Sequence, residues 1–168
     1  YQNFFNWINE TKVELVDVPF IKDGMNYILD FEKIEQQYAS GLKVHALCSP
    51  HNPLGRIYSR SELTWIADMA KKYGVTVISD EIHAPLTFPG EEFIPFLSVN
   101  QNAADVGICV NSASKAFNIA GLKSAIIISQ SPAMHELLAT MPMSVHFRSS
   151  ILGAFAAVVA FISLRNRK

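Results

Sequence analysis

Three short runs of apolar, largely β-branched residues most constrain what this chain can fold into: residues 75–79 (VTVIS), 106–110 (VGICV) and 125–129 (AIIIS). Continuous apolar runs of this length suit strands buried on both faces of a sheet. Residues 44–48 (VHALC) form a fourth run, ending at the turn-rich SPHNPLGR. Between these runs the period changes to that of a helix. Asp30 is placed to cap a helix reaching Ser40, with Gly41 as its stop. Ser61 is placed to cap residues 62–73, where Leu63, Ile66, Met69 and Ala70 share one face before Gly74. Residues 2–10 read as the end of a helix, 12–18 as a strand, and 84–95 as a turn-rich connection. Further helices are expected near residues 134–140 and 149–163. Strand, helix, strand at this spacing predicts an α/β fold, a three-layer α/β/α arrangement around a mostly parallel sheet, in one domain.

Composition narrows the function classes. Lys plus Arg is 14 and Asp plus Glu is 15, a net charge of −1, which rules out a strong electrostatic case for nucleic acid or an acidic membrane surface. The apolar fraction of 49% is enough to bury a real core. Cys48 and Cys109 are too few for a disulfide framework, which points to a reduced, cytoplasmic setting. The opening YQNFFNWINE has no basic n-region or apolar h-region of a signal peptide. Residues 151–164 are almost wholly apolar but short against a membrane span of ~20 residues, and read as a buried helix.

In open α/β sheets, ligands bind beyond the carboxyl ends of the parallel strands. Here the first strand is followed by Ser49, Pro50, His51, Asn52 and Pro53. The second is followed by Asp80, Glu81 and His83, and the third by Asn111, Ser112, Ser114 and Lys115. Lys115 sits among Val110, Ala113, Ala116 and Phe117, and partial burial there would favour a neutral, nucleophilic amine able to form Schiff bases. Asp80 can pair with a cationic ring nitrogen, and Asn52 offers an amide to a phenolic oxygen. Ser112 and Ser114 bracket an expected helix N-terminus suited to a phosphate. A lysine for an aldehyde, a carboxylate for a pyridinium and a phosphate cup together describe a pyridoxal phosphate site.

HNPLGR (51–56), SDEIHA (79–84) and SASKAFNIAGLK (112–123) resemble, in order and spacing, three signature stretches of the fold-type I pyridoxal-phosphate enzymes. The resemblance is to the aminotransferase class I/II group, and within it to the cystathionine β-lyases of the MalY/PatB type, whose pattern the His in D-E-I-H fits. It runs from Tyr1 to about Ser129. It implies pyridoxal 5'-phosphate as cofactor and Lys115 as the lysine of the internal aldimine and the proton shuttle at the substrate α-carbon. Asp80 would keep the pyridine nitrogen protonated, and Asn52 would bond the 3′ oxygen, with the Asn52–Pro53 bond in a position where cis is allowed. His83 would stand where many relatives carry a Tyr. Ser112, with Ser114 beside it, would bind phosphate, Lys123 would occupy a position where relatives have an Arg, and Tyr1 would stack on the ring.

The resemblance implies a carbon–sulfur β-lyase acting on cystathionine- or cysteine-type amino acids, with an aminotransferase as the alternative and a homodimer as the assembly. It also implies that residues 1–168 are part of a cofactor-binding large domain, without its preceding segment and its C-terminal small domain. A non-catalytic fragment of that domain is the reading from another class. The ending AAVVAFISLRNRK departs from the acidic, Trp-containing stretch usual in relatives.

Blander readings apply residue by residue. His83 suits a packing role, Ser114 a helix cap and Glu81 a structural carboxylate. His45, His51, His83 and Asp80 match no standard metal-ligand spacing, and no metal site is expected. Cys48 reads as a small strand residue. Arg56, Arg60, Lys71 and Lys72 read as a solvated face, and Phe4, Phe5 and Trp7 as core or subunit interface. The segment 141–143 is open between a site entrance and a simple connection.

Overall fold

The computed structural model describes residues 1–165. Its frame is a four-stranded sheet in the order β3 (Val44–Cys48), β4 (Thr76–Asp80), β5 (Gly107–Asn111), β6 (Ile126–Ile128). The first three strands are parallel and β6 runs antiparallel to β5. The expected mostly parallel sheet flanked by helices is therefore present, made mixed by the antiparallel β6.

Local chemistry explains most element boundaries. In α2 (Phe31–Ala39) the Asp30 carboxylate accepts the Lys33 N–H at 3.0 Å. Helix α3 (Arg60–Tyr73) is capped by Ser59, two residues before the expected Ser61. The reason is a capping box: the Ser59 hydroxyl accepts the Glu62 N–H at 3.3 Å, and the Glu62 carboxylate accepts the Ser59 N–H at 2.8 Å. Gly74 ends α3 at φ 70°. The chain then enters β4, in which Val77 and Ser79 are buried while Thr76, Ile78 and Asp80 are half-buried. That alternation replaces the expected burial on both faces.

Several expectations are corrected. Residues 12–18 form no strand: α1 (Gln2–Thr11) ends in a left-handed Lys12, and the extended segment that follows finds no ladder partner. A hairpin instead pairs β1 (Ile21–Asp23) with β2 (Asn26–Ile28) around Gly24. Val106 belongs to α4 (Gln101–Val106), where the Asn100 side chain accepts the Ala103 N–H at 2.8 Å, so the strand starts at Gly107. Helices α5 (Pro132–Ala139), α6 (Met143–His146) and α7 (Ile151–Arg165) complete the fold. Of residues 141–143, Met141 and Pro142 lead into the one-turn α6 and Met143 opens it.

The core lies on the α2, α3 and α4 side of the sheet. Tyr38, Leu63, Ile66, Ala67, Ala70, Val77, Phe96 and Ala103 are buried there as one cluster. The apolar run 151–164 is a helix but not a buried one, since Ile151, Leu152, Phe155, Val158, Val159 and Ile162 are exposed. It packs through Gly153, where a Cβ would lie 2.3 Å from the Leu122 carbonyl oxygen, through buried Ala160, and through Phe161, edge-on to Phe117 at 6.3 Å. Phe5 and Trp7 are likewise exposed rather than core. No helix among the described residues is long and apolar enough to cross a membrane. The last three residues of the atypical ending, 166–168, lie outside the described residues.

Candidate active site at the carboxyl edge of the sheet

The parallel register aligns Cys48 with Asp80 and Asp80 with Val110. Two hydrogen bonds extend the ladder past the strands: Ser49 N–H to Asp80 C=O at 3.0 Å, and Glu81 N–H to Val110 C=O at 2.9 Å. The three chain exits therefore leave the sheet flush, and every polar residue expected after a strand starts from one edge.

At the first exit, Ser49–Pro50 and Asn52–Pro53 are both cis. Residues 51–56 close into a loop: His51 N–H donates to Arg56 C=O at 2.7 Å and Gly55 N–H to His51 C=O at 2.8 Å. Gly55 adopts φ 65°, which only glycine tolerates without cost. The Asn52 N–H donates to the Cys48 sulfur at 3.3 Å, so Cys48 is a buried tether for the loop. The Asn52 carboxamide has no protein hydrogen bond among the described residues.

At the second exit, adjacent carboxylates take opposite directions. Glu81 is buried, accepting Phe96 N–H at 2.8 Å, Ser79 O–H at 3.1 Å and the Cys109 thiol at 3.2 Å. This is the structural carboxylate expected of it. Asp80 turns outward and accepts one backbone donor, Ile82 N–H at 3.2 Å. Burial pushes the Asp80 carboxyl above its ordinary range, while that hydrogen bond and the fields of His83 and Lys115 pull it back. Asp80, His83 and Lys115 thus share one electrostatic neighbourhood.

At the third exit, the Ser112 hydroxyl donates to Ser124 C=O at 2.6 Å and lies 2.6 Å from the Ser114 hydroxyl, which is left to donate to it. Ser114 N–H also reaches the Ser112 oxygen at 3.1 Å. The helix expected to start here is absent. Residues 113–118 form turns, with Phe117 N–H on Ala113 C=O at 3.1 Å, Ile119 N–H on Ser114 C=O at 3.1 Å, and Asn118 at φ 53°. Lys115 is exposed on this turn rather than partly buried, although Ala113 two residues before it is buried. Lys123 is left-handed at φ 50° and exposed, one residue before the Ser124 carbonyl that holds Ser112.

A cleft of about 480 Å³ opens between the first two exits, lined by His51, Asn52, His83, Leu86, Phe88 and Glu91 among others. It brings Asn52 and His83 together. Tyr1 stands apart from that pair, on a larger cavity of about 830 Å³ that it shares with Phe20, Cys48 and His51. Its hydroxyl takes the Asn3 amide at 2.6 Å. The histidines do not gather as a metal set: His45 is bonded to Tyr38, 2.5 Å away, on the core side. Among the described residues no three His, Cys, Asp or Glu side chains converge on a metal position.

The expectation that Arg56 belongs to a solvated face is corrected. The residue is half-buried: its guanidinium pairs with Glu62 and stacks over the Tyr58 ring at 4.6 Å. The signal was available in the acidic residue of the capping box six positions on.

Comparison with known proteins adds a second line of observation. The sequence matches the family described as aminotransferase class I and II over residues 1–165. It is 35% identical over 129 residues to the cystathionine β-lyase PatB of Bacillus subtilis, covering 76% of this chain and 33% of that protein. It is 36% identical over 132 residues to a cystathionine β-lyase of Corynebacterium glutamicum, covering 79% of this chain and 36% of that one. The structure of cystalysin from Treponema denticola, which contains a pyridoxal 5'-phosphate cofactor, superposes with a TM-score of 0.81 at 33% identity over 94% of this chain and 40% of that one. The chain thus spans no more than about 40% of the length of these proteins.

Proposed function

This chain belongs to the aminotransferase class I and II family, and on that premise we propose that its sheet edge holds pyridoxal 5'-phosphate in a carbon–sulfur β-lyase acting on cystathionine- or cysteine-type amino acids. The observation that carries the reading is the flush exit of three parallel strands, with the Asp80 carboxyl in the fields of both His83 and Lys115. The donor set fits the cofactor. Among the described residues the Asn52 carboxamide is uncommitted and Asp80 accepts a single backbone donor, and the Ser112 and Ser114 hydroxyls stand 2.6 Å apart.

When bound, the cofactor supplies an aldehyde for the substrate amine and a ring that takes up the electron pair released at the α-carbon. Asp80 holds a proton on the ring nitrogen by offering it a charged acceptor in a half-buried position. Asn52 donates to the ring oxygen, with His83 beside it on the same cleft. Ser112 and Ser114 would turn to the phosphate by exchanging the hydrogen bonds they now make to the Ser124 carbonyl and to each other. Lys123, whose backbone precedes the Ser124 carbonyl that holds Ser112, would supply a cation, and Tyr1, on the neighbouring cavity that shares His51 with the cleft, would have to reach across it to cover the ring. The Lys115 amine would take the proton from the substrate α-carbon, and the sulfur would leave the β-carbon with the electron pair of the broken bond, as a thiolate that the Lys115 ammonium can protonate. The family's other reaction, amino-group transfer, uses the same residues and differs in where Lys115 returns the proton.

The reading includes a homodimer, supported by the apolar surface that Phe5, Trp7 and Met25 leave exposed. It also places the protein in the cytoplasm, supported by two free, buried cysteines.

The test is a visible spectrum of the purified chain with added pyridoxal 5'-phosphate, repeated on Lys115→Ala. A band near the visible–ultraviolet boundary in the parent, lost in the variant, is expected. Cystathionine added to the parent should release a thiol together with pyruvate. A keto acid without thiol would favour amino-group transfer, and no band at all would leave a non-catalytic fragment.

A further inference from the structure

We propose that Arg56 is a positioning residue for Asn52, fixing the loop of residues 51–56 so that the Asn52 amide is presented to the bound cofactor's ring oxygen. The proposal rests on the cofactor reading above and adds to it a residue that the strand-end pattern does not contain.

Asn52 lies on a loop with no regular secondary structure, so something other than a ladder must hold its side chain in place. One end is tied by the Asn52 N–H on the Cys48 sulfur, at 3.3 Å. The other end is tied by the His51–Arg56 bridge, at 2.7 Å between amide nitrogen and carbonyl oxygen. Arg56 therefore closes the loop with its backbone and anchors it with its side chain. Its Nε donates to the Tyr27 carbonyl of β2 at 2.8 Å, and its guanidinium pairs with Glu62 in the first turn of α3. The flat face of the same guanidinium lies 4.6 Å from the Tyr58 ring centroid and 5.6 Å from that of Phe20.

Phe20 closes the circuit. Its ring stands edge-on to His51 at 5.1 Å and to Tyr27 at 6.4 Å. The residue preceding Asn52 is thus clamped by the ring that Arg56 covers. Side-chain exposures of 19% for Arg56 and 16% for Glu62 keep the ion pair mostly out of water, where a single substitution is felt more than at a surface pair.

The geometry requires arginine rather than a positive charge alone. One group must donate sideways to a carbonyl, donate forward to a carboxylate and stack flat on an aromatic ring. A planar guanidinium does all three, whereas an ammonium reaches one acceptor and does not stack in the same way. Arg56→Lys therefore keeps the charge and releases the loop.

The experiment is a pH titration of the visible band of the chain loaded with pyridoxal 5'-phosphate, in the parent, Asn52→Ala, Arg56→Lys and the double variant. A donor to the ring oxygen favours its anionic form, so losing that donor raises the titration midpoint. Asn52→Ala is expected to raise it by about one pH unit and Arg56→Lys by about half a unit. The double variant should match Asn52→Ala alone, because Arg56 acts only through Asn52. Glu62→Gln, which keeps the shape of the capping box, should reproduce the sign of the Arg56→Lys shift and guards against a misfolded lysine variant. An unshifted midpoint in both Arg56→Lys and Glu62→Gln, with Asn52→Ala shifted, overturns the proposal and leaves the cofactor reading standing. A parent without any band overturns both.

Discussion

The Tyr38 hydroxyl of α2 and the His45 Nδ1 of β3 are hydrogen-bonded at 2.5 Å, behind the sheet edge that carries the candidate site. Burial holds the His45 ring down to about 4, against an ordinary value near 6.5. The unfolded chain takes up this proton as pH falls through about 6.5, and the folded chain only near 4. The contribution is present in full above pH 6.5 and is lost as pH falls toward 4, with a ceiling of about 3 kcal/mol. Urea midpoints at pH 7.5 and 5.0 should drop further in the parent than in His45→Phe. Equal drops would mean that His45 does not carry the effect.

The capping box makes a sharper claim about a pair of serines. Ser59→Ala removes the hydroxyl that accepts the Glu62 N–H, and should cost about 1 kcal/mol. Ser61, which reaches only the Ser59 hydroxyl at 3.0 Å, should cost a few tenths at most when changed to Ala. Denaturant melts of the two single variants decide it. A larger loss at Ser61 would return the helix start to where the local pattern alone places it.

The contrast between these serines shows what could be read without coordinates. The β-branched runs at 75–79 and 106–110, with Asp80, Ser112 and Lys115 directly after them, made the sheet and its polar edge legible, since strand burial and strand-end chemistry are both local. Ser59 escapes that reading because the expected helix starts at Glu62 behind a Ser61 cap, which leaves Glu62 unread as the return half of a box. Residues 12–18 alternate like a strand, but alternation supplies no ladder partner, and the pairing went instead to the short hairpin at Gly24. The exposure of Lys115 and of α7 depends on which way a turn and a helix face, and neither is encoded in spacing. Arg56 was legible as a charge and not as an anchor, because Tyr27 and Phe20 lie about thirty residues upstream in the chain.

Thiol chemistry should divide cleanly between the folded and unfolded chain. Burial and the neighbouring Glu81 carboxylate push the Cys109 thiol up, and burial pushes up Cys48. Thiolate is the reactive form, so neither cysteine should be alkylated in the native chain over the time in which both react in urea. Mass spectrometry after a short iodoacetamide pulse measures this. Rapid native labelling of Cys109 would contradict its place beneath Glu81.

Phe96 joins the core to the site's second exit: its ring is fully buried and its N–H is held by the Glu81 carboxylate at 2.8 Å. Phe96→Ala should cost about 3–5 kcal/mol through the cavity it leaves. Burial also raises the Glu81 carboxyl, so an empty space beside it that admits water should bring its titration back toward the ordinary range. The urea midpoint reports the first effect. A loss below about 1 kcal/mol would mean that neighbouring side chains collapse into the space.

Asp80 gives the most direct separation of charge from shape. It is the carboxylate that the fold turns outward, with Ile82 N–H as its one hydrogen-bond donor among the described residues, and its charge is felt by His83 and Lys115. Asp80→Asn preserves the size of the side chain and the acceptor for Ile82, so the fold should be untouched and the urea midpoint should stay close to the parent's. What is lost is a charged partner for a cationic ring nitrogen, and a charge-assisted hydrogen bond of that kind is worth about 1.5–3 kcal/mol. Equilibrium dialysis against pyridoxal 5'-phosphate should therefore show binding weakened by about ten- to a hundredfold. Because burial already strains the Asp80 charge, Asp80→Asn should also leave the free chain no less stable at neutral pH. If the variant binds the cofactor as tightly as the parent, Asp80 does not meet the ring nitrogen, and the carboxyl edge of β4 has some other use.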